Sequence, residues 1–281
     1  MMVMLMIRKP CVNGLFYAGD SENLRGNIES FFDSIDEPVT NIKNVVAGVV
    51  PHAGYVYSGR TASFTFSALK DNLPDTFIVI GPNHTGMGSN IDLCSFKQWE
   101  TPLGLVDVDV DFVEELLNVE DNACVDDNAH VREHSVEVEI PFIQYICEDH
   151  DFKIVPIVIS KQIPELCKSL AASIKEVSEK LGKKVVVLAS SDLNHYEDSK
   201  TSKFLDDKVL KSVADMDTTQ LVNDIVEYDI TMCGYGPVIT AICYTKLCNY
   251  DSCLVLNYSN SGDVSGDYDS VVGYMSAVMG K

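Results

Sequence analysis

The sequence VVAGVVPHAGYVYSG, residues Val45–Gly59, sets an unbroken apolar run directly before a proline and a histidine. The run Val45–Val50 shows no alternation of apolar and polar residues, which is typical of a strand that is buried on both faces. Such strands belong to sheets that are covered by helices on both sides. Since His52 follows the strand after a single proline, the strand delivers an imidazole to the edge of the sheet.

Apolar runs of the same kind recur along the chain and alternate with helical patterns. Further strands are predicted at Phe77–Ile80, Ile154–Ile159, Val185–Ala189, Cys253–Ser259 and Val271–Met279. Helices are predicted at Gly59–Lys70 with Ser58 as N-cap, Ile163–Gly182, Phe204–Ala214 and Gly236–Leu247. This alternation indicates an α/β fold, in which residues 1–281 form one domain with a central mixed, largely parallel sheet flanked by helices.

The composition narrows the class of protein and its partners. The chain has 281 residues, of which 46% are hydrophobic, and this is typical of a globular protein with a substantial core. Its net charge of −21 disfavours nucleic acid and membrane surfaces as partners, because both carry negative charge. The acidic stretch 107–130 is predicted to be a solvated helix and loop, and His130 and His150 are predicted to be exposed and without a role.

The nine cysteines include no CxxC pair, which favours reduced thiols in the cytoplasm over a disulfide framework. Cys243, Cys248 and Cys253 lie in apolar surroundings and are predicted to be core residues. The opening MMVMLMIRKP places its basic residues after its apolar ones, unlike a signal peptide. The sequence also lacks a run of about 18 apolar residues that would span a membrane. Together these features predict a cytoplasmic protein.

Three histidines follow predicted strands. His52, His84 and His195 come after the apolar runs at Val45, Phe77 and Val185. Ligands of open α/β sheets gather beyond the carboxyl ends of the strands, so these imidazoles are expected to share one site. Asp192 lies three residues before His195, where its carboxylate is expected to orient the imidazole or relay a proton.

Histidine, carboxylate and thiolate groups are ligands for divalent transition metals, and two histidines with one carboxylate are typical of non-haem iron oxygenases. The spacing leaves the third ligand open among Asp192, Glu137 and Cys233. Cys233 precedes a predicted helix start, where a thiol is expected to have a lowered pKa. His134 lies three residues before Glu137, in a segment for which helix and strand both remain open.

Five motifs resemble those of the Memo family in order and spacing, and the resemblance covers nearly the whole chain. They are PHAGYVYSG, GPNHTG, EHSVEVEIPF, SSDLNHY and MCGYGP. The resemblance implies a fold similar to that of class III extradiol dioxygenases, which hold iron(II) with two histidines and a carboxylate. In Memo proteins a cysteine takes the place of the carboxylate.

Carried over to this chain, the resemblance implies that His52, His84 and Cys233 are the metal ligands. Asp192, His195 and His134 are then expected to line the same pocket and take part in the reaction. The implied cofactor is a divalent transition metal, with iron(II) favoured over copper or zinc. The implied partner is a small molecule or a peptide in the pocket, and the sequence leaves the oligomeric state open.

Several functions agree with these residues. The first is a redox or oxygenase-type role, as in a non-haem-iron dioxygenase-like oxidoreductase, on a substrate that the sequence does not identify. A metal- or peptide-binding scaffold without turnover would use the same ligands. A metal-dependent hydrolase would use zinc-activated water, and a metal-free enzyme would pair Cys233 with His195 as nucleophile and base.

Overall fold

The structure is a computed structural model in which residues 6–36 and 40–281 are described. Residues 1–5, where the apolar opening segment begins, lie outside the described residues, so the prediction that this segment is no signal peptide stays a prediction. The described residues form these strands: β1 (Ile7–Arg8), β2 (Val45–Val50), β3 (Thr76–Pro82), β4 (Ile91–Leu93), β5 (Gln98–Thr101), β6 (Gly104–Asp107), β7 (Ala123–Val125), β8 (Lys153–Ile159), β9 (Val185–Ser190), β10 (His195–Glu197), β11 (Ser252–Asn260) and β12 (Val271–Gly280).

The same residues form helices that connect and cover these strands. They are α1 (Ser21–Asp33), α2 (Tyr55–Leu69), α3 (Val110–Val119), α4 (Asn128–Val131), α5 (Ile140–Ile146), α6 (Pro164–Leu181), α7 (Ser199–Ala214), α8 (Thr218–Tyr228), α9 (Tyr235–Leu247) and α10 (Gly262–Ser265), with a 3-10 helix at Glu137–Glu139. Within the described ranges, no helix has both the length and the apolar character that crossing a membrane requires.

The main sheet has nine strands in the order β10–β12–β2–β9–β3–β8–β4–β7, with β11 paired to β12. Strands β2, β9, β3 and β8 run parallel, whereas β12 is antiparallel to β2, β10 and β11. A separate three-stranded sheet has the order β1–β5–β6. The predicted α/β fold with a mixed sheet and flanking helices is therefore confirmed.

The central strands are buried because they carry almost only apolar side chains. All residues of β3 and β9 are buried, and the continuous Val and Ile runs match a sheet that is covered on both faces. The strand predicted at Val45–Val50 has those bounds in the structure. The strand predicted at Phe77–Ile80 runs farther in both directions, over Thr76–Pro82.

The helix after His52 begins earlier than the sequence predicts. The N-cap of α2 is Gly54, and Ser58 lies inside the first turns, where its hydroxyl donates to the carbonyl of Ala53 at 3.0 Å. The prediction of Ser58 as N-cap is therefore wrong. In contrast, Gly182 terminates α6 as predicted: it is the C-cap of this helix and adopts the left-handed conformation at φ 63°.

The acidic stretch 107–130 is less solvated than its charge predicts. It does contain the helix α3, but Asp109, Glu120 and His130 are buried. Asp109 accepts hydrogen bonds from the Lys183 ammonium at 2.6 and 2.7 Å, so its charge is paired inside the fold. The prediction that His130 is exposed is wrong, because this histidine faces the core.

Candidate metal site

Three neighbouring parallel strands end at one edge of the sheet, and each is followed by a polar side chain. His52 follows β2, His84 follows β3, and Asp192 follows β9, which lies between these two strands. The ring centres of His52 and His84 are 5.1 Å apart. The structure therefore brings together the histidines that the sequence places beyond separate strands.

His52 is buried, and each of its ring nitrogens has a defined neighbour. Nδ1 lies 2.7 Å from the Ser190 hydroxyl, and Nε2 lies 3.3 Å from the Cys233 sulfur. Its backbone N–H donates to the Asp192 carboxylate at 2.9 Å. Burial, followed by the neighbouring imidazoles, lowers the pKa of His52 well below its ordinary value, so the ring is neutral at neutral pH.

Glu133 holds the second histidine, although the sequence analysis did not single it out. Its carboxylate accepts from Nδ1 of His84 at 2.9 Å and from the backbone N–H groups of His84, His134 and Ser135 at 2.5, 2.9 and 2.9 Å. Burial opposes ionisation, but the hydrogen bond and charge of His84 and the backbone N–H groups of Ser135 and His84 together outweigh it and hold the pKa of Glu133 at about 2. For His84, burial is likewise outweighed by Glu133, and its pKa is raised. Nε2 is therefore the nitrogen of His84 that is available to a ligand.

His134 lies against both of these rings. Its ring centre is 4.7 Å from that of His84 in a stacked arrangement and 5.5 Å from that of His52. Burial outweighs the neighbouring Glu133 charge and lowers the pKa of His134. The segment that follows is helical, a 3-10 turn that leads into α5, with Pro141 in its first turn.

Cys233 supplies the sulfur of the site from the loop before α9. Its Sγ accepts from the backbone N–H of Asp192 at 3.2 Å, and its carbonyl accepts from the Gln162 amide at 2.7 Å. The expectation of a lowered pKa is wrong. Burial, followed by the charge of Asp192, raises the pKa of the Cys233 thiol.

His195 is held by Thr231. The backbone N–H of His195 donates to the Thr231 hydroxyl at 2.8 Å, and its Nδ1 lies 3.0 Å from the Thr231 carbonyl. The expectation that Asp192 orients His195 is therefore wrong, since Asp192 accepts from the backbone of His52 instead. Burial raises the pKa of Asp192 to about 7. A carbonyl partner makes Nδ1 of His195 the donor, which leaves Nε2 as an acceptor.

Glu137, one of the three candidates for the third ligand, is used elsewhere in the fold. Its carboxylate pairs with the buried guanidinium of Arg8 and accepts from the Tyr17 hydroxyl at 2.6 Å. It also accepts from the backbone N–H groups of Cys11 and Val12 at 2.9–3.1 Å. These donors occupy both carboxylate oxygens, so the prediction of Glu137 as a possible metal ligand is wrong.

The Arg8 pair ties the first described residues to the wall of the site. Arg8 donates to the carbonyls of His130 and Glu133 at 2.9 and 2.7 Å. Farther along this segment, the ring of Phe16 packs edge-on against His134 at 4.8 Å. Burial lowers the pKa of His130 to about 4. The N-terminal segment therefore packs against residues of the candidate site, a role that the sequence analysis did not assign to it.

The donor set fits a divalent transition metal. Within the described ranges, the ligand atoms of His52, His84 and Cys233 all lie within 4.8 Å of one another. The 3.3 Å between Nε2 of His52 and the sulfur lies within the range of about 3.1 to 3.6 Å that right-angled and tetrahedral coordination require with metal–nitrogen and metal–sulfur bonds of about 2.1 and 2.3 Å.

A second group, His84 with Glu133 and His134, meets the same distance limit. It fits less well, because the Glu133 carboxylate already accepts hydrogen bonds from three backbone N–H groups and from His84.

The chain resembles known proteins over nearly its full length. The sequence profile of the family described as Memo-like protein matches residues 8–278. A MEMO1 family protein from Methanobrevibacter smithii is 43% identical over 97% of this chain and 99% of its own length. MEMO1 family proteins from Sulfurisphaera tokodaii and Pyrococcus abyssi are 40% and 41% identical, each over 98% of this chain and over 100% and 99% of their own lengths.

A similar fold is present in a solved structure, the crystal structure of an uncharacterized protein from Escherichia coli K12. The two chains superimpose with a TM-score of 0.56, over 85% of this chain and 100% of that one. Their sequence identity is 13%, so the similarity concerns the fold alone.

Proposed function

Because the chain belongs to the Memo family, we propose that it is a metal-binding protein with a redox or oxygenase-type role, in which His52, His84 and Cys233 hold a divalent transition metal. One observation carries this proposal: two imidazoles and one thiol, brought from three separate connections, place their donor atoms within 4.8 Å of one another. Iron(II) is favoured because the resemblance is to enzymes that hold iron(II) with two histidines and a carboxylate. Copper and zinc are alternatives because the third ligand here is a soft thiolate.

The surrounding residues support metal binding. Burial raises the pKa of the Cys233 thiol and so opposes the thiolate, and a coordinated cation would supply the positive charge that offsets this effect. Glu133 fixes His84 through Nδ1, so that its other nitrogen is available as a ligand. A bound iron ion would supply open positions for oxygen or substrate and a change of oxidation state.

Two nearby groups are suited to hold or move protons. His195 is partly exposed, its Nδ1 is committed to the Thr231 carbonyl, and burial lowers its pKa, so its Nε2 is a neutral acceptor near pH 7. His134 stacks on His84 and is also neutral near pH 7. We assign both of them, together with Asp192, to proton handling for a small molecule or peptide in the pocket.

The metal-free pair of Cys233 and His195 is not favoured by the geometry. The imidazole beside the sulfur is that of His52, and the raised pKa of the thiol opposes a free thiolate nucleophile.

The nine cysteines are free thiols, which supports a reducing compartment such as the cytoplasm.

Elemental analysis after anaerobic purification tests the proposal. We expect bound iron in the wild type and its loss in His52→Ala, His84→Ala and Cys233→Ala. His150→Ala and Cys243→Ala are matched controls outside the donor set and should retain the metal. Metal that is absent from the wild type, or retained in all three ligand variants, would refute the ligand set. Zinc in place of iron would favour the hydrolase.

A further inference from the structure

We propose that Ser190 and Glu139 are positioning residues that fix His52 in one tautomer, with its proton on Nδ1 and its lone pair on Nε2. The inference rests on the proposed function only in treating His52 as a metal ligand. Both residues are buried behind the imidazole, on the side away from Cys233. Neither is part of the donor set.

Ser190 is the last residue of β9, and its hydroxyl has three partners. Its oxygen lies 2.7 Å from Nδ1 of His52, 2.7 Å from the carbonyl of Ser135 and 3.0 Å from Oε1 of Glu139. A serine hydroxyl has one proton to donate and two lone pairs that accept. The three contacts therefore require one donated and two accepted hydrogen bonds.

The Ser135 carbonyl decides where the hydroxyl proton goes, because a carbonyl can only accept. With this proton directed to Ser135, the Ser190 oxygen accepts from its other two neighbours. Nδ1 of His52 must then carry a proton, and Nε2, 3.3 Å from the sulfur of Cys233, is left with its lone pair. The opposite tautomer would take the hydroxyl proton away from a buried carbonyl.

Glu139 completes this arrangement as a neutral acid. Its carboxyl group is buried, and its Oε2 has no hydrogen-bond partner among the described residues. In the described part of the chain, no cation hydrogen-bonds to this carboxyl group or acts on it as a neighbouring charge. Burial, followed by the charge of Asp192, therefore raises the pKa of Glu139 well above its ordinary value. Its proton on Oε1 then donates to Ser190, which fills the second lone pair of the hydroxyl.

The consequence concerns metal affinity. A ligating histidine binds through a deprotonated nitrogen, and the hydrogen bond at its other nitrogen selects that form in advance. In the absence of Ser190, His52 would populate both tautomers, and part of the binding free energy would be spent on selecting one of them. Loss of such a partner lowers metal affinity by about 10- to 100-fold.

The first test is made on the metal-free protein. Nitrogen-15 NMR of the histidine rings distinguishes protonated from unprotonated ring nitrogens, and the signals of His52 are assigned by their absence from His52→Gln. We expect protonated Nδ1 in the wild type and a tautomer mixture in Ser190→Ala. Ser276→Ala is the matched control, because this buried serine has no hydroxyl partner in the described ranges, and it should leave His52 unchanged.

The second test titrates each variant with cobalt(II) and follows the absorption of the thiolate–metal bond. We expect about 10-fold weaker binding or more for Ser190→Ala, and affinity within about 3-fold of the wild type for Ser190→Thr, which restores the hydroxyl. Glu139→Gln should also bind within about 3-fold, because its neutral amide still donates to Ser190.

The outcomes separate this inference from the proposed function. A wild-type His52 protonated at Nε2 would overturn the inference even if Ser190→Ala did not fold. Ser190→Ala with an unchanged His52 tautomer and unchanged cobalt(II) affinity would also overturn it. A large loss of cobalt(II) affinity in Glu139→Gln would show that Glu139 does not act as a neutral acid. If the wild type bound no metal yet showed the Nδ1 tautomer, the proposed function would fail and this inference would stand.

Discussion

Replacement of Glu137 by glutamine is expected to destabilise the fold strongly. In the native protein the Glu137 carboxylate pairs with the Arg8 guanidinium, and both side chains are only 1% exposed. Glutamine keeps the shape but removes the charge, and its amide N–H₂ then faces the Tyr17 hydroxyl and backbone N–H groups that now donate to the carboxylate. The guanidinium would keep its carbonyl acceptors but would lose the carboxylate that neutralises its buried charge.

The loss of one partner from a buried ion pair costs about 3–5 kcal/mol in the free energy of unfolding. With a urea dependence of about 3 kcal/mol per molar, this lowers the unfolding midpoint by at least about 1 M urea. Urea unfolding followed by circular dichroism at pH 7 measures the shift. Glu148→Gln is the control, because Glu148 pairs with Arg25 on the surface, and such pairs contribute about 0–1 kcal/mol.

The effect should also depend on pH. Burial favours the neutral acid, but Arg8 and the hydrogen bonds from Tyr17 and Cys11 together outweigh it and lower the pKa of Glu137 below its ordinary value of 4.5. A depressed acid pKa contributes stability that is present above pH 4.5 and is lost as the pH falls through the native pKa. The difference between the wild type and Glu137→Gln should therefore shrink in acid. A midpoint shift no larger than that of Glu148→Gln at pH 7, or one that grows toward low pH, would refute this reasoning.

Two further substitutions test the structure elsewhere. Burial raises the pKa of Asp206 from 3.8 to about 6 because it favours the neutral acid. The stability that this neutral acid contributes is fully present below pH 3.8 and is lost as the pH rises through about 6. Asp206→Asn should accordingly gain about 2–3 kcal/mol relative to the wild type between pH 4 and pH 8 in urea unfolding, and a pH-independent difference would contradict the shift. A Cβ on Gly234 would lie 2.4 Å from the carbonyl oxygen of Ser190, so Gly234→Ala should cost about 1–3 kcal/mol and weaken cobalt(II) binding by moving Cys233. The control Gly26→Ala meets open space and should bind cobalt(II) normally; equal binding by the two variants would count against the close approach.

The sequence predicts the centre of the fold well because one physical signal dominates there. Strands such as Val45–Val50 and Val185–Ala189 are covered on both faces, so every position is apolar and the run stands out from its surroundings. The edge strands β7 and β10, and β4 beside β7, are short and carry mixed residues. They depend on contacts between distant segments, which a local pattern does not contain.

The same distinction applies to the site. His52 and His84 were found because each directly follows a buried strand, and position alone indicated a shared edge. The choice of Cys233 over Glu137 depended on family resemblance, because only the folded structure shows Glu137 committed to Arg8. The sequence does not indicate a role for Glu133, although it adjoins His134. Glu133 positions His84 through hydrogen bonds from backbone N–H groups of two different loops, and only the folded structure brings these together.

The placement of β12 also affects how the protein is made. β12 lies beside β2, where Val49 is aligned with Ala277, and β9 borders β2 on its other side. Both neighbours of β2 are thus translated after it, and His52 and Cys233 are 181 residues apart. During synthesis on the ribosome, β2 therefore emerges without a partner strand. It stays an exposed apolar segment until much of the remaining chain has been translated. The proposed donor set, which needs both His52 and Cys233, can therefore be complete only late in synthesis.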